Sequence, residues 1–453
     1  LRGSAHAAIL EANDAAGRHV SAAGIVSRGQ PERDRALSAV ADRPDTAETD
    51  PGDAFGSPAT KGVAATSRPS ACEELASAAL DIGLKRIEIV AWRDLEDPEA
   101  GGSESHSHRI ASRWASAGLD VEFRTSAVPG RPSKIERSGY KAVRRNGRYG
   151  VFPAVAWDGI GSPGKADGLV EVWNGMPFFS PLWFRGPRIV FLHHVHAEMW
   201  RMVLPPSLAK LGSTVESLVA PALYRRSRIV TLSSSSRDEI VSMLGLPARR
   251  VTVVPPGVDH RFRADGERSP RPLVVSVGRL VPVKRFDLLI EALVAAHSER
   301  PDLEAVIIGE GYERDRLEKL RDELGATRWL SLPGRVDEEE LAAWYRRAWV
   351  VASTSLREGW GMTLTEAGAC GTPSVASRIA GHLDAVVDGS TGLLADGREE
   401  LARAIGRLLA DDLLRNRMGR AAEEYARTFD WDVTASSTLG VLVHEAAARR
   451  YRR

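Results

Sequence analysis

Cysteine is nearly absent. Only Cys72 and Cys370 occur in 453 residues, which excludes a disulfide framework and leaves too few thiols for a structural zinc site. A reducing, cytoplasmic setting is the expectation. No run of about 18 or more uncharged apolar residues occurs, and the first residues lack the basic-then-apolar order of a secretory signal. A membrane-embedded fold is therefore excluded, and any membrane contact is expected to be peripheral. Charge of one sign is not in excess either: 61 Lys and Arg face 60 Asp and Glu, a formal net charge of +1, so nothing global points to nucleic acid. The 43% hydrophobic and 27% charged residues are ordinary for a globular chain, and the length leaves room for two or three domains.

Residues 1–82 are rich in Ala, Gly, Ser, Asp and Arg, with prolines at 31, 44, 51, 58 and 69. They hold no sustained period of 3.6 or 2 and read as a low-complexity, disordered extension without chemistry, with at most a short helix around Ala5 to Ala16. With Leu1 where an initiating methionine would stand, part of this stretch is open to being a fragment boundary. From Lys85 onward, short β-branched runs alternate with helical patterns: Ile87 to Ala91, Leu119 to Phe123, Leu169 to Trp173, Ile189 to Leu192, Ile229 to Leu232 and Val251 to Val254. Such runs predict a parallel sheet covered by helices on both faces over residues 83–255. A Pro- and Gly-rich linker, 256–272, separates this domain from a second series over 273–430, with strands at Leu273 to Val277, Ala305 to Ile308, Leu330 to Leu332, Val350 to Ser353 and Ser374 to Ala376. Residues 431–453 predict a terminal helix capped near Asp432 or Thr434. The fold class is thus α/β, two Rossmann-like doubly wound domains in tandem, with a ligand site shared where the carboxyl ends of both sheets face a central cleft.

Two motifs carry chemistry. In "VVSVGRLVPVKRFDLLIEAL", Val274 to Leu293, a strand ends at Gly278 and the loop before the next helix carries Arg279 and Lys284, placed to meet a phosphate. A solvated surface pair is the plain alternative. In "STSLREGWGMTLTEAGACGTPSVAS", Ser353 to Ser377, Glu358 lies in a loop, Gly359 and Gly361 let backbone amides approach a ligand, and a helix starts near Met362 with Glu366 one turn in. A helix amino terminus is an anion site by geometry, and a carboxylate there can accept from two neighbouring sugar hydroxyls; capping or salt-bridging is the structural alternative for each glutamate. Other signals are set aside. Gly309 and Gly311 begin a dinucleotide fingerprint, but Arg314 fills the third glycine position. Asp430, Trp431 and Asp432 form a literal Asp-x-Asp, read as a helix cap rather than a metal site. Four histidines, 193, 194, 196 and 260, are weighed as metal ligands, but no Asp or Cys sits at ligand spacing with the first three, and core or substrate contact is the expectation. A glycosidase pairing of Glu358 with Glu366 leaves the Arg and Lys loop without purpose.

Two glutamates seven residues apart in a Glu-Gly-Trp-Gly setting, the Gly-Arg plus Lys loop and "VVPPGVDHRF" at the domain junction resemble the retaining glycosyltransferases of family four, which have the GT-B architecture. The resemblance covers roughly Ile87 to Tyr451 and is dense from Val251 to Leu394. It implies that Arg279 and Lys284 hold the diphosphate of a nucleotide-sugar, with Gly278 at the strand end. Glu366 accepts from the ribose, Glu358 lies beside the transferred sugar, and the backbone from Gly359 through Trp360, Gly361, Met362 and Thr363 supports sugar and phosphates. Arg335 and Val336 would edge the base, Gly101 and Gly102 match a glycine loop that lets donor phosphate and acceptor approach, and His193 matches a histidine near the anomeric centre, with His194 and His196 as competing candidates. Arg285 departs from the commoner Lys-Gly pattern, which puts a close backbone approach at that point in doubt.

The resulting expectation is a metal-independent, retaining glycosyltransferase, a hexosyltransferase that needs no cofactor and moves a sugar from a UDP- or GDP-sugar donor to a hydroxyl acceptor. A non-hydrolysing nucleotide-sugar epimerase and a catalytically silent binding scaffold are the alternatives. The acceptor is open. Aromatic residues Trp173, Phe178, Phe179, Trp183 and Phe184 suit sugar stacking, a lipid interface or plain core packing. Arg131, Lys134, Arg137, Lys141, Arg144, Arg145 and Arg148, against Glu136 alone, suit peripheral contact with an anionic membrane, a solvated loop or an anionic soluble acceptor.

Overall fold

A computed structural model describes residues 70–161 and 164–451; the short helix expected near Ala5 and the body of the amino-terminal extension lie outside the described residues. The first sheet runs in the order β3-β4-β2-β1-β5-β6-β7-β8, from β1 (Arg86–Val90), β2 (Asp120–Thr125), β3 (Lys134–Arg137), β4 (Tyr140–Arg144), β5 (Gly168–Val172), β6 (Arg188–Phe191), β7 (Arg228–Thr231) and β8 (Val251–Val253). All its pairs are parallel except the β3/β4 hairpin. The second sheet, β11-β10-β9-β12-β13-β14, is wholly parallel, built from β9 (Leu273–Val277), β10 (Glu304–Ile308), β11 (Leu330–Gly334), β12 (Val350–Ser353), β13 (Ser374–Ser377) and β14 (Gly392–Ala395). Central strands such as Gly168–Val172 and Arg188–Phe191 are buried at every position, which is why they read as continuous apolar runs rather than as alternation.

The extension is not featureless up to residue 82. Ser70 and Glu73 close a capping box at the start of the helix Ala71–Asp81, which satisfies amides left free at a helix amino terminus. Its face of Cys72, Leu75, Ala76 and Ala79 joins the first domain's core. That face packs on the helix Trp431–Arg450, which returns from the second domain and contributes Ala435, Leu439, Leu442 and Val443 to the same cluster. The terminal helix is capped by Asp430, one turn-start earlier than Asp432 or Thr434: its carboxylate accepts from the Asp432 amide at 2.6 Å and the Val433 amide at 3.3 Å. The two chain crossings between domains touch at Gly257, where a Cβ would lie 2.2 Å from the Trp431 nitrogen.

The basic stretch between Arg131 and Arg148 is largely the β3/β4 hairpin and its flanks, and much of its charge is matched. Arg137 donates to both carboxylate oxygens of Asp94 at 2.8 and 3.0 Å, Arg144 donates to Asp94 at 2.9 Å and to Glu96 at 2.5 Å, and Arg148 pairs with Glu99. The expected concentration of free positive charge is thereby reduced, because its acidic partners come from the loop after β1.

Candidate active site

The carboxyl ends of both sheets open onto one cleft of about 1230 Å³, lined from the first domain by Gly101, Gly102 and the histidine loop, and from the second by Gly278, Arg279, Lys284 and the segment Glu358 to Thr363. The site is shared between halves, as the tandem doubly wound pattern requires.

Lys284 reaches the site from a single 3-10 turn, Pro282–Lys284. Arg285 follows at φ 49°, so the left-handed conformation that glycine adopts without penalty is here taken by a bulky residue. The departure from Lys-Gly changes the residue and keeps the turn. Thr354 Oγ1 secures it by donating to the carbonyls of Lys284 and Arg285, each at 2.9 Å. The Lys284 ammonium donates to Glu358 Oε1, and Ser355 Oγ donates to the same oxygen at 2.9 Å. Burial works against ionisation of Glu358, yet the Lys284 charge, His382 and these hydrogen bonds hold its pKa down at about 2. The pair is an ionised cation and anion side by side in the cleft.

Arg279 crosses the cleft, donating from Nη1 to the Glu99 carbonyl at 2.9 Å. A Cβ on Gly101 would stand 3.1 Å from Arg279 Nε, so the glycine keeps the guanidinium against the first domain's loop. Across from it, Gly361 at φ +107° opens the helix Met362–Ala369, whose free amides face the same space. A Cβ on Gly359 would fall 2.7 Å from the His193 carbonyl oxygen, which is the physical reason for glycine there.

All three candidate histidines line the cleft, and His194 is the one on which the charges of Lys284 and Glu358 act. His193 packs edge-on against His106 at 4.9 Å within the first domain's core, and burial sends its pKa well below the ordinary value. His194, stacked on His196 at 5.1 Å, lies in the field of Glu358, Arg357, Lys284 and Arg279, and burial first of all lowers its pKa to about 4. At neutral pH it is an uncharged imidazole, able to donate or accept one hydrogen bond. The loop bearing these rings is pinned by Glu216, which accepts from the amides of His196 at 2.7 Å and Ala197 at 2.9 Å and from Trp200 Nε1 at 3.0 Å.

Not every expected residue lines the cleft. Trp360 does line it, with its indole edge-on to Phe429 at 5.0 Å and donating to Thr365 Oγ1 at 3.3 Å. Arg335, Val336 and Glu366 lie outside the lining: Arg335 donates to the Pro98 carbonyl at 3.2 Å, Val336 packs on the second domain's core, and Glu366 sits near the domain junction. Burial raises the Glu366 pKa to about 7, with Arg109 pulling the other way, and Tyr345 donates to it at 3.3 Å. Around it, Arg109 pairs with Asp259 at 2.6 Å and Glu338 at 3.2 Å, linking the two domains. Ser355, which donates to Glu358, is a neighbour of the charged pair that sequence reasoning does not single out, although it lies within the glutamate motif itself; the surroundings of Glu366, Arg109 and Tyr345, are likewise not legible in the sequence. In the aromatic stretch Trp173, Phe178 and Trp183 are buried, while Phe178, Phe179 and Trp183 also line the cleft, and the buried Glu171 accepts from Ser180, Tyr224 and the Phe178 amide.

Asp430 is occupied as a cap and Asp432 pairs with Arg113 at 2.7 Å. Among the described residues no group of three or more His, Cys, Asp or Glu side chains is arranged to hold a metal ion, and no helix is long and apolar enough to cross a membrane.

Comparison with known proteins agrees with this geometry. Residues 259–425 match the family model "Glycosyl transferases group 1", and residues 100–262 match "Glycosyltransferase Family 4". A D-inositol 3-phosphate glycosyltransferase of Corynebacterium glutamicum is 38% identical over 398 residues, covering 77% of this chain and 93% of that one; one of Kribbella flavida is 34% identical over 411 residues, covering 80% and 96%. In fold, the chain is similar to sucrose-phosphate synthase of Thermosynechococcus elongatus, with a TM-score of 0.67 at 21% identity over 81% of this chain and 98% of that one. It is also similar to Anabaena Alr3699/HepE in complex with UDP-glucose, with a TM-score of 0.61 at 19% identity over 80% and 99%. Two Rossmann-like domains around a shared cleft, both family models and relatives matched along most of their length make this chain a member of the family 4 glycosyltransferases, GT-B enzymes that transfer a sugar from a nucleotide-sugar.

Proposed function

We propose that the enzyme is a retaining, metal-independent glycosyltransferase that moves a sugar from a UDP- or GDP-sugar to a hydroxyl acceptor. The observation that carries this reading is the convergence of Arg279, Lys284 and the amino terminus of the helix Met362–Ala369 on one cleft. Heterolysis at the anomeric carbon builds negative charge on the leaving diphosphate and positive charge on the ring. Two fixed cations and a helix terminus stand where that negative charge develops, the preorganised electrostatic assistance that generally dominates catalysis. As the C1–O bond to the diphosphate breaks, the acceptor oxygen bonds C1 on the same face and its proton passes to the departing diphosphate oxygen, so no protein nucleophile is needed. Neutral His194 would orient the sugar, and ionised Glu358 would hold Lys284 in place and face the ring's developing positive charge.

UDP is the first donor to test, because the Anabaena fold relative is seen with UDP and with UDP-glucose. Membership of the glycosyltransferase family weighs against the epimerase and scaffold alternatives. The test is a thermal-shift and calorimetric screen across UDP- and GDP-sugars, followed by NMR of the product's anomeric configuration with D-inositol 3-phosphate among the acceptors offered. Stabilisation by one nucleotide-sugar and a product of unchanged configuration are expected. Binding of no nucleotide-sugar, or an inverted product, would remove the reading.

A further inference from the structure

The helix Pro206–Thr214, the π-turn Val215–Val219 and the helix Ala220–Tyr224 follow one another without a break in helical conformation. Their faces are inverted relative to a helix on a water-facing surface. The buried side carries Ala209, Gly212, Glu216 and Ala220. The outward side carries Leu208, Leu211, Leu218 and Val219, exposed by 50%, 57%, 68% and 44%. A surface helix ordinarily puts large apolar residues inward and polar ones outward. The inward side here is small because Trp200 lies against it: a Cβ on Gly212 would stand 2.6 Å from the indole.

The outward stripe is continuous with the cleft. Val203, Leu204, Leu208 and Leu211 line its mouth, and the facing wall is the helix Val151–Gly161, which turns Phe152, Ala156 and Ile160 into the same space at i, i+4 and i+8. Trp157 and Ile160 on that wall are 77% and 63% exposed. Contiguous exposed apolar surface of this kind marks a site of association. Charge identifies the partner. Between residues 199 and 226 the only carboxylate is Glu216, which is buried and accepts three hydrogen bonds, whereas Arg201, Lys210, Arg225 and Arg226 are exposed. Apolar side chains flanked by cations, with no exposed acid between them, suit the boundary between anionic headgroups and acyl chains.

We infer that the acceptor is a lipid of an anionic membrane, with its chain lying in the trough between the helices Val151–Gly161 and Pro206–Tyr224 and its hydroxyl directed to the His194 and Glu358 end of the cleft. The acceptor half of this statement rests on the glycosyltransferase reading above. The membrane contact it names is on residues 199–226 rather than on the basic hairpin, whose arginines are largely engaged by Asp94, Glu96 and Glu99.

The test mixes the full chain with vesicles of phosphatidylcholine containing phosphatidylglycerol, with vesicles of phosphatidylcholine alone, and with phosphatidylglycerol-containing vesicles whose acyl chains are brominated. The chain should cosediment with the anionic vesicles, less so as salt rises, and brominated chains should quench its tryptophan fluorescence by an amount that falls in Trp157→Phe. The double variant Leu211→Ser/Leu218→Ser should bind the anionic vesicles about tenfold more weakly or worse, with an unchanged melting temperature. Titration with UDP is run in parallel and depends on the donor site alone, so its failure would strike the glycosyltransferase reading and not this one. No cosedimentation, equal binding by the double variant, binding without quenching by brominated chains, or self-association through this face in place of vesicle binding would each overturn the inference.

Discussion

Lys284 and Glu358 form an ion pair on the floor of the cleft, each side chain about one-fifth exposed, at 21% and 20%. Ser355 supplies a further hydrogen bond to the same carboxylate oxygen. Glu358 is thereby kept ionised far below its ordinary pKa, at about 2 rather than 4.5. A depressed carboxyl contributes stability that is present above the unfolded value and is lost as pH falls through the folded one. The acid arm of the stability profile should therefore contain a component between about pH 4.5 and 2 that depends on Lys284. In Lys284→Ala that component should vanish in acid-unfolding titrations, and turnover should fall about a hundredfold through loss of a few kcal/mol at the transition state. Unchanged turnover would show that the diphosphate is neutralised elsewhere.

Glu366 gives the opposite sign. Burial raises its pKa from 4.5 to about 7, so its protonated form is favoured in the free protein, and the stability this supplies below the unfolded value is lost as pH rises toward 7. The resemblance to family four assigns Glu366 to the donor ribose, whose diol would donate hydrogen bonds to the ionised form, although Glu366 is not among the residues lining the open cleft. Donor binding should consequently release a proton, and UDP affinity should rise up to about tenfold per pH unit below the free-state pKa and level off above it. Calorimetry between pH 5.5 and 8.5, in buffers of different ionisation enthalpy, measures both effects (~3 pH units of range). Glu366→Gln should lose the pH dependence and at least about tenfold of affinity, while melting higher than the parent at alkaline pH. Wild-type pH dependence in the variant would place the titrating group elsewhere.

How far the sequence disclosed this arrangement depends on where each residue's partners lie in the chain. Strands such as Leu273–Val277 appear as apolar runs because both faces are covered, and Arg279, Lys284 and Glu358 appear because local turns between strand and helix place them. The β3/β4 hairpin does not appear: Lys134–Arg137 is an exposed edge strand with no fully buried position, and the acids that match its arginines lie about forty residues or more before them. Tyr345, whose hydroxyl meets Glu366, is twenty-one residues away on another helix. His194 differs from His193 in the second-domain charges that act on it, whereas His193 packs on His106 of its own domain.

Metal independence has its own prediction. Asp430 accepts two backbone amides at the start of the terminal helix and Asp432 is engaged by Arg113, so the Asp-x-Asp pattern is used for structure. Transfer should persist in excess EDTA. Asp430→Ala should lower stability by about 1 kcal/mol, the usual worth of an amino-terminal cap, and leave the response to EDTA unchanged. Loss of activity in EDTA with rescue by Mn²⁺ would contradict the assignment of the diphosphate to Arg279 and Lys284.

The last prediction concerns the helix Ala71–Asp81, which composition alone assigns to a low-complexity, disordered extension. Its alanine-rich sequence hides a buried face, because Cys72, Leu75, Ala76 and Ala79 are small or isolated among exposed Glu73, Glu74 and Asp81. That face is complementary to the returning helix Trp431–Arg450, where Leu439, Leu442 and Val443 meet it, and Arg450 donates to the Ile82 carbonyl at the helix's carboxyl end. Removal strips one layer from the first domain's core. Burying Leu75 and Cys72 with their neighbours is worth about 2–5 kcal/mol by area and cavity reasoning. In a domain of this size that corresponds to a fall in Tm of about 4–15 °C. A chain beginning at Ile82 should therefore melt lower than one beginning at Ser70, by calorimetry at equal concentration. Since neither this helix nor the terminal helix it packs on lines the cleft, UDP affinity measured well below the lowered Tm should be the same for both. Equal melting temperatures would mean that the packing of Ala71–Asp81 on the terminal helix contributes nothing to the fold.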